Sequence, residues 1–311
     1  MTEAVISDLL SNSDIARLTH LFLITLALIR GNHKGWESTE VQSEFATAAV
    51  LFMIFVFVEL RQELGMLDLS YFRNLTFVGA NLAGLSFAAC HLTMLTYLPI
   101  YFQGGLGYSA QAAGWLMLPM AIPMIVVPRV VASYRFAGRT RLTGGLAILS
   151  GGLFLMALAA PHFRYVDMLG GMMLAGIGGG VLNSEVVEVG ISVIPPTRAG
   201  MASGMSGTIR FSGLVIGFAA LGAILVSCIS SVVIADPTSA RLDDAAEFVR
   251  HVAAGNLGGA SNILPGLEGL RELAFRSFGV GYQIIVSVAA AFALAASALC
   301  WILISPAPPR S

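Results

Sequence analysis

Two carboxylates and one guanidinium stand inside otherwise apolar stretches of this sequence. Glu185 and Glu188 are three residues apart, so on a helix they share a face, next to Asn183 and Ser184. Arg210 follows Gly204-Met205-Ser206-Gly207-Thr208 in the next apolar stretch. If the chain turns near Thr197 and Arg198, Glu185 lies about as far before the turn as Arg210 lies after it, and an antiparallel pair of helices brings them to similar depth. One guanidinium neutralises one carboxylate. The other is left in a low-dielectric setting, where burial and a like-charged neighbour favour the protonated form. Such a carboxyl can take up and release a proton as its access to water alternates. The same residues also read as a structural ion pair locking two helices, with the second Glu wetted by a polar cavity. His91, beside Thr93, Thr96 and Tyr97, offers a proton relay or a substrate contact, since an unperturbed imidazole titrates near physiological pH. A hydrogen-bonded core histidine is the competing reading. Asn81 carries the same ambiguity, with hydrogen bonding between helices as its alternative.

The elements that must position these groups follow from composition. Hydrophobic residues make up 56% of the chain and charged residues 11%, with a mean hydropathy of +0.81; for most of the chain the solvent is lipid. With 17 Lys and Arg against 18 Asp and Glu, there is no basic excess to draw nucleic acid. Cys90, Cys228 and Cys300 are too scattered for a disulfide framework, and the His and acidic residues lack metal-ligand spacing, so no metal or cofactor is expected. Met1 to Asp14 has no basic residue to open a signal peptide, and the first hydrophobic segment is expected to remain. Eight spans are predicted, at residues 15–30, 43–60, 75–101, 112–133, 142–160, 166–194, 205–235 and 278–305. Most reach the roughly 20 residues that cross about 30 Å of hydrocarbon. Backbone groups cannot stay unpaired in lipid, and the apolar blocks lack the alternation of barrel strands. The fold class is therefore all-α, a polytopic membrane protein of about eight transmembrane helices.

Charge sets the orientation. Arg17, Arg61, Arg73, Arg129, Arg135, Arg139, Arg141, Arg198 and Arg310 fall on the side of the termini, against Arg30, Lys34 and Arg164 in the opposite short loops. Both termini, residues 1–14 and 306–311, are expected in the cytoplasm of a multi-pass cell-membrane protein. Residues 236–277 form an external loop in which Asp236-Pro237-Thr238 resembles a helix start. Leu242, Ala245, Phe248, Val249, Val252 and Ala253 recur there at helical spacing, and a second amphipathic stretch runs from Leu264 to Phe278. Pro119, Pro123 and Pro128 are expected to bend the fourth span. The run Gly204-Met205-Ser206-Gly207 matches a Gly-x-Ser-Gly pattern of intramembrane serine proteases, but the nearest intramembrane base, His91, is four spans earlier.

Longer runs carry a resemblance. Leu98-Pro99-Ile100-Tyr101-Phe102-Gln103-Gly104-Gly105-Leu106-Gly107-Tyr108-Ser109-Ala110-Gln111-Ala112-Ala113-Gly114, the glycines from 176 to 180, and the stretch from Pro195 to Arg210 with the glycines beyond it are similar to the C-terminal half of fourteen-span drug:proton antiporters of the major facilitator superfamily. Gly35-Trp36-Glu37-Ser38 and Leu67-Asp68-Leu69-Ser70-Tyr71-Phe72-Arg73 fit the segment before it. The resemblance implies two linker helices at 15–74 and a six-helix transporter domain at 75–305. It also implies a missing N-terminal half as partner, a small amphipathic substrate, and a proton gradient as energy source. By the superfamily's arrangement the third and sixth spans, with His91, Glu185 and Glu188, line a central cavity. Tyr134-Arg135-Phe136-Ala137-Gly138-Arg139 departs from the family's Asp-Arg-x-Gly-Arg loop by lacking its Asp. Glu185 and Glu188 lie outside the family pattern. A non-transporting remnant or accessory membrane protein is the alternative, and an intramembrane serine protease a remote one.

Overall fold

The computed structural model describes residues 69–133, 136–238, 244–261 and 269–306, with scattered helical positions between Thr39 and Met53. The chain divides into two units, Met1–Leu69 and Ser70–Ser311. In the first, Thr47 Oγ1 donates to the carbonyl of Ser43 at 2.7 Å, one helical turn back. The spans expected at 15–30 and 43–60 otherwise lie outside the described residues.

Every regular element of the second unit among the described residues is helical. The long helices are α1 (Leu75–Gly104), the bent pair α2 (Ala110–Leu116) and α3 (Leu118–Val131), α4 (Gly138–Ala159), α5 (Tyr165–Ser192), α6 (Ala199–Ala235) and α9 (Leu270–Leu303). Two short helices, α7 (Ala245–Ala253) and α8 (Leu257–Ser261), lie between α6 and α9. Counting α2 and α3 as one span, six segments are long and apolar enough to cross a membrane. The chain is thus a multi-pass membrane protein. The bend between α2 and α3 is 40° and falls just before Pro119, which occupies the first turn of α3, where its missing N–H costs nothing.

Packing partners arrange these helices in two layers. The row α3, α5, α1, α6 holds by contacts between successive members, while α4 lies against α5 and α9, and α9 against α1, α4 and α6. Exchanging α1 with α5, α3 with α6 and α4 with α9 leaves most of these contacts in place. The two triplets run in opposite directions because an odd number of crossings separates their counterparts, which is an inverted repeat.

Successive antiparallel spans give the unit two ends. One gathers Arg73, Arg129, Arg139, Arg141 and Arg198; the Arg139 guanidinium there lies 3.8 Å over the Trp301 ring. The other end is closed by aromatic rings. Tyr101 stacks on Phe163 and Phe278 at 5.7 and 6.0 Å and donates from its Oη to the carbonyl of Ala160 at 2.7 Å. Tyr282 donates to the carbonyl of Tyr97 at 2.9 Å. Such ring pairs add about 0.5–1.5 kcal/mol each beyond area burial, and here they tie α1, α9 and the α4–α5 turn together.

Three boundaries differ from the sequence reading. The loop helix α7 has its own start at Asp244, whose carboxylate accepts from the Glu247 amide at 2.9 Å and caps the helix, while the start expected at Asp236-Pro237-Thr238 is a separate 3-10 turn over residues 237–238. Its expected apolar face is present, with Phe248, Val249 and Val252 buried. Helix α9 starts at Leu270, so part of the second amphipathic stretch is its first two turns. Helix α6 starts at Ala199, which puts the Ala-Gly-x-Ala-Ser-Gly run on a helix.

Asp236 both ends α6 and opens the 3-10 turn that follows. Its carboxylate accepts from the Thr238 amide at 2.9 Å and lies 3.8 Å from Arg276, and these contacts hold it below the usual carboxylate range. A depressed folded value means that the stabilisation is present above the ordinary Asp pKa of about 3.9 and fades as pH falls through the folded one. Protection of the Thr238 amide from hydrogen exchange, corrected for intrinsic rates, is therefore expected to hold from neutral pH down to about 4 and drop below it. In Asp236→Asn that step disappears.

Candidate functional site

The Glu185 carboxylate is held by Arg141, in the first turn of α4, with Nη1 at 2.7 Å. The Arg141 Nη2 lies 3.5 Å from Glu188. The Glu185 side chain is 3% exposed and that of Glu188 64%. One guanidinium thus serves both carboxylates, and the second, four residues from the end of α5, is exposed on the unit's surface. Glu185 is also not at mid-membrane: it is seven residues from the end of α5 at Ser192, roughly 10 Å from the Arg-rich end.

The expected pairing of Glu185 with Arg210 is therefore corrected. The physical reason is the packing order, since α1 stands between α5 and α6 in the row and the two touch only sparsely. Depth alone could not decide. Arg141 and Glu185 are equally far from Phe163, the left-handed residue (φ 51°) that turns α4 into α5, so the symmetry argument fitted this hairpin too. What favours α4 is intimate contact: a Cβ on Gly178 would lie 2.5 Å from the Leu149 amide nitrogen, and one on Gly171 would lie 2.7 Å from the Gly152 carbonyl. Arg210 is half-buried, with its guanidinium 5.7 Å from the Phe211 ring and its Nε without a hydrogen bond among the described residues.

The glycine-rich stretch of α5 has a spatial logic. Gly176 and Gly180 meet the Met120 and Pro123 carbonyls of α3, Gly178 meets α4, and Gly179 meets His91 of α1. Three helices thus close on one turn of α5 at a spacing no side chain permits. Gly213 and Gly217 of α6 do the same for α1, against the carbonyls of Leu85 and Ala89.

His91, Asn81 and Tyr97 were expected to line a cavity, and the structure places them inside the unit. His91 is fully buried, stacked on Phe87 at 5.4 Å. Asn81 is buried and donates to the Phe77 carbonyl of its own helix at 2.9 Å. Tyr97 is partly buried and donates to the Phe218 carbonyl of α6 at 3.3 Å. A residue that touches a ligand held outside the six-helix unit must be open on the unit's own surface, and in this conformation His91 and Asn81 are not. Residues that are open include Thr96 of α1 and Asn183 of α5. At about 100° per residue, Asn183 points between the α3-facing Gly180 and the α1-facing Gly179, away from α4. A polar residue on the helix face opposite the Glu185 stripe was the available signal. Ser206 and His91 form no nucleophile–base pair: Ser206 packs at Gly190 and His91 at Gly179, eleven residues or about 16 Å apart along α5.

An inverted repeat of membrane-spanning helices, bent at prolines and packed through glycine, is the architecture of membrane carrier domains. The chain belongs to the Major Facilitator Superfamily, whose family model matches residues 18–218. It is 31% identical over 212 residues to the multidrug resistance protein Stp of Mycobacterium tuberculosis, covering 67% of this chain and 39% of that protein. It is 28% identical over 241 residues to a probable actinorhodin transporter of Streptomyces coelicolor (74% and 40%). To the cephamycin export protein CmcT of Amycolatopsis lactamdurans it is 32% identical over 206 residues (65% and 42%). The chain thus spans about two fifths of the length of these relatives.

Proposed function

We propose that the chain is the C-terminal domain of an efflux transporter that moves small amphipathic molecules out of the cell by alternating access, driven by the proton gradient, in the cell membrane. The observation that carries this reading is the unit's glycine-packed inverted repeat, with the polar Thr96 and Asn183 exposed on its surface, in a chain whose relatives bear the names of multidrug and antibiotic exporters. In such a transporter a second six-helix domain completes the cavity against this one. With the basic end in the cytoplasm, both termini lie inside. Nothing in this cycle calls for a bound metal or organic cofactor.

Within this reading the Arg141 pair leaves Glu185 two roles. It locks α4 to α5, and a proton that reaches Glu185 from the outer side releases that lock until it leaves to the cytoplasm past the exposed Glu188. The cellular test is dye retention: cells lacking the chain are expected to hold several times more ethidium than cells that have it, and equal retention contradicts the proposal.

A further inference from the structure

The buried imidazole of His91 has a hydrogen-bond partner at neither Nδ1 nor Nε2 among the described residues, although the residue is 0% exposed. A polar group sealed in a protein interior is ordinarily bonded, because leaving it unsatisfied forfeits its bonds to water. His91 also lies in the one π-helical turn of α1, Ala88–Leu92, among described residues that are otherwise regular there. Such turns carry an extra residue and are common at functional positions. The ring stacks on Phe87 of its own helix, and its Nδ1–Cε1–Nε2 edge meets the bare backbone of Gly179, where a Cβ would come within 2.5 Å of Cε1 and 2.7 Å of Nε2. On the other flank of the same turn, Gly217 of α6 lies against the Ala89 carbonyl. At this depth α1 is therefore gripped by glycine backbones on two sides, surfaces along which a helix can slide without unlocking side chains. Four residues along α5 from Gly179, on nearly the same face, Asn183 is open to the exterior of the unit.

We infer that His91 is a state-dependent site: sealed in the α1–α5 seam in this conformation, and turned toward the open face beside Asn183 when α1 shifts against α5, where its ring nitrogens find water or a hydrogen-bonding group of the transported molecule. Among the described residues neither ring nitrogen has a carboxylate or any other hydrogen-bonding group as partner. The hidden ring therefore waits for a partner from the cavity rather than for an ion pair. This inference rests on the transporter reading.

The test needs no mutation. Inverted membrane vesicles containing the native chain are treated with diethylpyrocarbonate, with and without an imposed proton gradient and ethidium, and the modified histidines are located by mass spectrometry. The exposed His162 and the half-exposed His251 report reagent access. His91 is expected to be protected at rest and modified on the order of tenfold faster during turnover, the change that follows when a state populated at 10% or less becomes dominant. Protection of His91 throughout, while ethidium is visibly transported, overturns the inference and leaves the transporter reading intact. Absence of gradient-dependent ethidium movement overturns both. As a second readout, His91→Asn, which keeps a hydrogen-bonding group, is expected to retain more transport than His91→Phe at equal membrane abundance; equal transport by the two contradicts the inference.

Discussion

Arg141→Ala is expected to cost the protein about 3–5 kcal/mol, the penalty of leaving a buried charge without its partner. Glu185 is 3% exposed and Arg141 13%, so neither charge can turn to water in compensation. The expected result is a large fall in the midpoint of thermal unfolding in detergent, with loss of protease resistance at the α4–α5 end. Glu188 offers no compensation, because it is itself an anion beside Glu185 and loses the same guanidinium. Replacing both partners with apolar side chains of similar size, Arg141→Met with Glu185→Leu, is expected to restore most of the stability, since the desolvation of both charges is removed with them. That double variant also separates the two roles of Glu185. If the pair is only a lock, the refolded protein transports; if Glu185 carries the proton, the protein is stable but uncoupled. A single Arg141→Ala variant as stable as the parent would show that the pair contributes nothing to packing.

The second large effect is expected at Gly178. A side chain there meets the Leu149 amide nitrogen and the Gly145 carbonyl of α4, backbone atoms that cannot step aside. Gly178→Val is expected to separate α4 from α5 and destabilise by about 1–3 kcal/mol or more, as overpacked cores do. Gly170 and Gly144 on the same two helices have open space where a Cβ would stand. Alanine at either is expected to leave the unfolding midpoint unchanged or slightly higher, by up to about 1 kcal/mol of helix propensity. Equal loss at Gly144 and Gly178 would mean that glycine acts in these helices through flexibility rather than close packing.

How much of this could be read in advance differs from element to element. The spans of residues 70–311 were legible because their apolar blocks are long and lipid permits only helices. The bend at Pro119 and the apolar face of α7 were legible for the same kind of local reason. Helix starts were less so: Asp236 and Asp244 both cap, Asp236 through the Thr238 amide and Asp244 through the Glu247 amide, and the sequence did not show that they open two separate elements. The partner of Glu185 was not legible. Arg141 was read as a loop residue, although α4 begins at Gly138, and sequence spacing fixed depth without fixing which neighbour of α5 was close. The side on which a polar residue faces was equally hidden. His91 and Asn183 look alike in a hydropathy profile, yet one is sealed and the other open, because orientation depends on which three helices surround a given turn. The departure at Tyr134-Arg135 lies outside the described residues, while Arg139 of the same loop reaches Trp301.

The account stands or falls on proton-driven movement of a substrate. Inverted membrane vesicles prepared with and without this chain, loaded to be acid inside, are to be followed for ethidium uptake by fluorescence. The account predicts uptake that requires the chain, collapses on addition of a protonophore, and reverses when the imposed gradient is reversed. Uptake that is the same with and without the chain, or that persists after the gradient has been dissipated, would contradict it.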